Sequence, residues 1–124
     1  MVNENSKEMI KIPPIQLEWS DWIPWSDLVE GRVEPPNRPG VYKVKYKDAE
    51  ELLFTGESSN LRRRIKYLTR GRFSIGKKIC SEEDVSRIVL GWAVTNRPAA
   101  VEEELRLNHL NRFGRLPKYT RRTW

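Results

Sequence analysis

The sequence predicts an α+β fold, a small three-stranded antiparallel sheet flanked by helices, and three observations predict it. Tyr42, Val44 and Tyr46 alternate with Lys43, Lys45 and Lys47, the period of two expected of a half-buried strand with a wet basic face. Asp48-Ala49 then allows a tight turn into Glu51 to Thr55, which makes an antiparallel hairpin. Ile88 to Val94 is apolar on both faces, as a well-buried third strand requires, and helical patterns precede and follow it. At 124 residues the chain suits one core, and 38% hydrophobic with 32% charged residues excludes a wholly disordered chain. No apolar stretch approaches the roughly 18 residues of a bilayer-crossing helix. Met1 to Lys11 is too polar for a secretion signal, so a cytoplasmic location is expected. Cys80 is the lone cysteine, which leaves no internal disulfide and no thiolate cluster for zinc.

In chain order, residues 1–38 read as an arm and residues 39–124 as the main domain. Met1 to Glu18 is polar and broken at Pro13-Pro14. Trp19, Trp22 and Trp25 follow with no interleaved Arg or Lys, which favours rings that plug the arm onto the core over rings that stack on bases. A short helical turn is expected over Ser26 to Glu30, with Ser26 as its cap. Pro35 to Gly40 is a run of breakers, after which the strand pattern begins. Ser59 or Asn60 caps a helix from Leu61 to about Thr69, ended by Gly71. Its apolar stripe is Leu61, Ile65 and Leu68. At about 100° per residue Arg64 falls beside that stripe and is aimed at the sheet, whereas Arg62, Arg63 and Lys66 point away.

A Lys-rich helix is expected over Phe73 to Cys80, and Ser81 to Asp84 caps a further turn. Pro98 suits the first turn of a helix through about Phe113. On it Val101, Leu105, Ala99, Leu110 and Phe113 define an apolar arc, and Glu102 lies inside that arc on the side of His109. A carboxylate facing a core needs a partner or a metal, or else its stem must carry it out to solvent. The tail from Arg115 to Trp124 is basic and extended, suited to a phosphate backbone or to solvent.

Gly40-Val41-Tyr42, then Phe54-Thr55-Gly56, then Asn60 to Ile65 with Arg64 ten residues after Phe54, resemble the GIY-YIG nuclease family from about Pro39 to about Thr120. The resemblance implies a metal-dependent endonuclease that hydrolyses phosphodiester bonds in DNA. The alternative is a catalytically inactive nucleic-acid-binding module on the same fold. By resemblance Tyr42 sits beside the scissile phosphate, Arg64 is the essential arginine and Gly56 lets the backbone turn closely between the second strand and the helix. Glu102 is the metal ligand, with Glu103 and Glu104 as alternatives, and the metal is a single Mg2+ or Mn2+. Phe54 and Thr120 stand where the family has tyrosine and asparagine and are candidate positioning groups, as is His109, which lies one to two turns beyond Glu102 on the same side of its helix.

Lys and Arg outnumber Asp and Glu by 23 to 17, a net charge of +6. Lys43, Lys45, Arg62, Arg63, Lys66, Lys77 and Lys78 are therefore candidate contacts to the backbone of double-stranded or structured DNA. These cations are also expected to lower the Tyr42 phenol and let it relay a proton from water. A protein-interaction role for the tryptophan-rich arm is a third class of function.

Overall fold

The computed structural model describes residues 17–120; the polar arm from Met1 and the end of the basic tail lie outside the described residues. The chain folds as α+β, with four strands in the order β1-β4-β2-β3. They are β1 (Ile23–Pro24), β2 (Gly40–Tyr46), β3 (Phe54–Ser58) and β4 (Ile88–Val94). The helices are α1 (Trp25–Val29), α2 (Leu61–Thr69), α3 (Ser74–Glu82) and α4 (Pro98–Phe113). The sheet has one strand more than the sequence predicts. β1 pairs Ile23 with Leu90 and Pro24 with Val89. Two residues carry no readable alternation, and proline is tolerated because this is an edge strand.

The hairpin forms, but β3 starts at Phe54 rather than Glu51. Lys45 Nζ donates to Ala49 O at 2.9 Å inside the longer connection. The register places Tyr42 opposite Gly56, Lys43 opposite Thr55 and Val44 opposite Phe54. Each of these pairs shares a face of the sheet. On one face Tyr42 and Val44, with Ile88, Leu90 and Trp92 of β4, pack against Leu61, Ile65 and Leu68 of α2, Ile79 of α3, and Trp25 and Leu28 of α1. Full burial of each aliphatic side chain stabilises the fold by about 1.5–3 kcal/mol. On the other face Val41 and Ala93 lie under Val101 and Leu105 of α4, with Leu17 and Trp19 beside them.

α2 has the bounds its stripe predicts, and of the two candidate caps Asn60 serves, its Oδ1 accepting from Arg63 N at 3.1 Å. Carbonyls of the breaker segment complete that helix start: Arg38 O accepts from Leu61 N and Pro36 O from Arg62 N. Ser26 does not cap α1, which begins one residue earlier at Trp25. Ser81 and Glu82 end α3 rather than starting a turn, and Asp84 caps a 3-10 turn over Val85–Arg87. Ala99 is exposed, so the arc on α4 is narrower than expected. Of the three indoles Trp25 is buried, Trp19 packs on the α4 face, and Trp22 is 41% exposed. Among the described residues no helix is long and apolar enough to cross a membrane.

Candidate active site

A cleft of about 520 Å³ wraps around the outer edge of the sheet at β3. It gathers residues that the sequence spreads over nearly 80 positions: Tyr42, Phe54, Gly56, Arg64, Glu102 and Thr120 all line it. Tyr42 and Arg64 reach it from the α2 face, and Glu102 from α4 on the opposite face. Tyr42 can reach the edge only because Gly56 stands between. A Cβ at Gly56 would overlap the Tyr42 ring, 2.8 Å from Cε1 and closer still to Cζ and Oη. The glycine of the second motif thus leaves a passage for the Tyr42 phenol.

Tyr42 is wholly buried, and its Oη has no hydrogen-bond partner among the described residues. Burial raises the phenol above its ordinary value; Arg64 opposes the rise without outweighing it, and Glu102 and Glu57 add to it. The lowering expected from the sequence is therefore reversed, because neighbouring carboxylates and desolvation together exceed one nearby cation. Arg64 lies with its guanidinium carbon 4.0 Å from the centroid of Phe73, a cation–π contact that restrains the fork. Phe54 packs at 5.9 Å and 56° against the Tyr42 ring and supplies no polar atom.

Of the three successive glutamates only Glu102 lines the cleft; Glu103 and Glu104 are exposed. Thr55 Oγ1 donates to Glu102 Oε2 at 2.8 Å, and Thr120 Oγ1 accepts from Thr55 N at 3.2 Å. Thr120 thus acts on Glu102 through Thr55. Arg106, one turn further along α4, brings Nε to 3.4 Å from Glu102 Oε1. The carboxylate does not snorkel to solvent as one sequence reading allowed; its side chain is 13% exposed and this arginine meets it. Sequence reasoning missed Thr55 and Arg106. The signals were present, since Thr55 sits inside the second tripeptide and Arg106 is four residues after Glu102, the spacing at which helical side chains meet.

Tyr119 closes one end of the cleft. Its hydroxyl lies 2.8 Å from a Glu82 oxygen and 2.5 Å from a Glu83 oxygen, with its one proton shared between the two carboxylates, and Lys118 Nζ donates to Glu83 at 2.6 Å. The Tyr46 hydroxyl also donates to Glu83. Burial opposes ionisation of Glu83, but Lys118, Tyr119 and Tyr46 together hold its carboxyl below the ordinary value.

His109 does not belong to this cleft. Its Nε2 accepts from Leu52 N at 3.1 Å, so Nδ1 carries the proton and donates to Arg115 O at 2.7 Å. Both nitrogens are committed to backbone, and the ring ties the hairpin connection to the end of α4. Lys43 and Lys45 are also elsewhere, on the α4 face. Arg62 and Lys66 border a hollow beside α1, where Arg62 Nε donates to Pro35 O. Arg63, Lys77 and Lys78 are exposed.

The donor set suits a hard divalent cation that keeps most of its water. It offers two carboxylates, Glu102 and Glu57, and several hydroxyls, and among the described residues no group of three or more His, Cys, Asp or Glu forms a cage. The unpartnered Tyr42 Oη in the same cleft is the atom such a hydrated ion or a phosphate would satisfy.

No family model and no curated protein matches the sequence. Among solved structures, the chain is similar to the GIY-YIG N-terminal endonuclease domain of UvrC from Thermotoga maritima, a tyrosine-to-phenylalanine variant bound to its catalytic divalent cation. The identity is 21%, over 77% of this chain and 97% of that one, with a TM-score of 0.51. The fold is that of a GIY-YIG nuclease domain. An asparagine-to-alanine variant of the same domain aligns at 20% identity over 78% of this chain and 93% of that one, with a TM-score of 0.47.

Proposed function

We propose that the protein is a metal-dependent endonuclease that hydrolyses phosphodiester bonds in DNA. The observation that carries this reading is the meeting of Tyr42 Oη, Arg64 and Glu102, from three elements, in one cleft at the sheet edge. Glu102 would hold a single Mg2+ or Mn2+, which when bound offsets the charge that builds on the phosphoryl oxygens. Thr55, itself positioned by Thr120, orients the Glu102 carboxylate. Arg64, held by Phe73, donates paired hydrogen bonds to the phosphate. The Tyr42 phenol keeps its proton at neutral pH and offers its free hydroxyl to the attacking water or to a phosphate oxygen. Backbone contacts from Arg63, Lys77 and Lys78 would orient the duplex.

A second reading rests on Phe54 and on Arg106. The phenylalanine brings no hydroxyl, and Arg106 already neutralises Glu102, as expected of a module that binds DNA without cutting it. Incubation of supercoiled plasmid with the protein in Mg2+ or Mn2+ decides between them. Nicking that disappears in Tyr42→Phe, Arg64→Ala and Glu102→Ala supports the nuclease. A gel shift with intact plasmid under either metal supports the binding module and rejects the nuclease.

A further inference from the structure

We propose that a groove on the opposite face of β2 is a second nucleic-acid site, which holds a single strand by its phosphates on Lys43 and Lys45 with a base against Trp22. The groove encloses about 360 Å³ between Trp22 and the C-terminal half of α4. Lys43 and Lys45 form its floor, and Leu105, Asn108 and Arg112 form its far wall. It is separated from the cleft by α4, whose Glu102 and Arg106 line one flank and whose Leu105, Asn108 and Arg112 line the other.

The electrostatics of the groove call for an anion. Among the described residues no carboxylate lies within 4 Å of Lys43 or Lys45. Glu50 at the rim is already paired with Arg112. Lys43 Nζ instead sits 3.9 Å from the centroid of a Trp19 ring and 5.4 Å from Trp22, and Lys45 Nζ is 4.8 Å from Trp22. Burial, and then the neighbouring Lys45, hold the Lys43 ammonium below its ordinary value. Two adjacent cations facing indoles lack the counter-charge that partial burial demands, and a phosphate would supply it. Beyond Trp22 the same track continues past Lys47 and Arg87.

A single strand fits this track better than a duplex. The exposed indole offers apolar surface to a base, and a base can meet it only when released from a stack. Cations spaced along the track then follow the backbone. The inference does not rest on cleavage in the β3 cleft, and binding is read by itself.

Fluorescence anisotropy of a labelled oligothymidylate, with a duplex of equal length as the comparison, tests the proposal on the full chain. Trp22→Ala is expected to weaken oligothymidylate binding by about 10-fold, the loss of one base–aromatic contact, while duplex binding changes by less than about 2-fold. Trp22→Phe is expected to recover most of that loss. Lys45→Gln removes a half-buried cation that belongs to neither apolar cluster, leaves an amide able to donate to Ala49 O, and is expected to weaken the same complex, so a Trp22→Ala variant that misfolds leaves the test intact. Oligothymidylate binding unchanged in Trp22→Ala and Lys45→Gln overturns the proposal. Equal displacement by polyglutamate also overturns it, since that would mark a site for acidic peptides. Loss of oligothymidylate binding in Arg64→Ala would assign the single strand to the cleft instead.

Discussion

The β3 cleft and the lysine groove are built from alternate residues of one strand, yet they treat charge in opposite ways. In the cleft, Thr55 donates to Glu102, Arg106 is ion-paired with it although its buried Nε makes no hydrogen bond, Arg64 is held by Phe73, and the Tyr42 phenolic oxygen likewise has no partner. In the groove, two ammonium groups face indoles and no carboxylate answers them. A site that positions atoms for chemistry needs each side chain fixed by its neighbours. A site that holds a polyanion needs only uncompensated positive charge and a surface for bases.

The largest expected effect breaks the two apart. Glu102→Ala or Arg64→Ala should lower plasmid nicking by about 100- to 1,000-fold, the range for loss of one charge-stabilising group, and leave oligothymidylate binding unchanged. Parallel loss of both would mean that the two regions act as one. The two glycines facing these regions sharpen the contrast. Gly56→Ala forces a Cβ into the Tyr42 ring and should lower stability by about 1–3 kcal/mol, read as a drop in melting temperature. Gly91→Ala places its Cβ 3.4 Å from the Trp22 ring, at the limit of ordinary contact, and should change stability by less than about 0.5 kcal/mol.

Glu83, which anchors the Tyr119 end of the cleft, gives a pH-dependent test. Its folded value lies below the unfolded value of 4.5, so its contribution is fully present above that pH and is lost as pH falls through the lowered folded value. Glu83→Gln should therefore cost about 1–2 kcal/mol at neutral pH, and the difference from the parent should shrink in acid, as urea midpoints at the two ends will report. The smallest effect belongs to the groove. Lys43→Gln with Lys45→Gln should reduce the salt dependence of oligothymidylate binding by a slope of about 1 to 2, with no change in the salt dependence of duplex binding.

Much of the architecture is legible in local patterns. Leu61, Ile65 and Leu68 set the bounds of α2, Pro98 opens α4, and the apolar run from Ile88 to Val94 is β4 as read. β1 escaped notice because two residues, one of them proline, carry no period. The start of β3 was misplaced because apolar Leu52 and Leu53 resemble strand residues, whereas they serve a connection tied down by His109. Motif spacing and helical phase single out Tyr42, Arg64 and Glu102, and these three line one cleft. His109 lies outside that cleft, because phase on α4 says which side a residue takes and not what it meets there.

Alternation along β2 and the helical phases of Arg64 and Glu102 follow from the chain alone, because backbone geometry sends neighbouring side chains in fixed directions. What closes across the sheet does not follow from it. That Lys43 and Lys45 leave the cleft for a groove of their own depends on which strands flank β2 and where α4 lies. So do the passage of the Tyr42 phenol over Gly56, the capture of Glu102 by Thr55 and Arg106, and the commitment of His109 to two backbone groups. Those contacts join residues far apart in sequence, and only the packing of the whole core brings them within bonding distance.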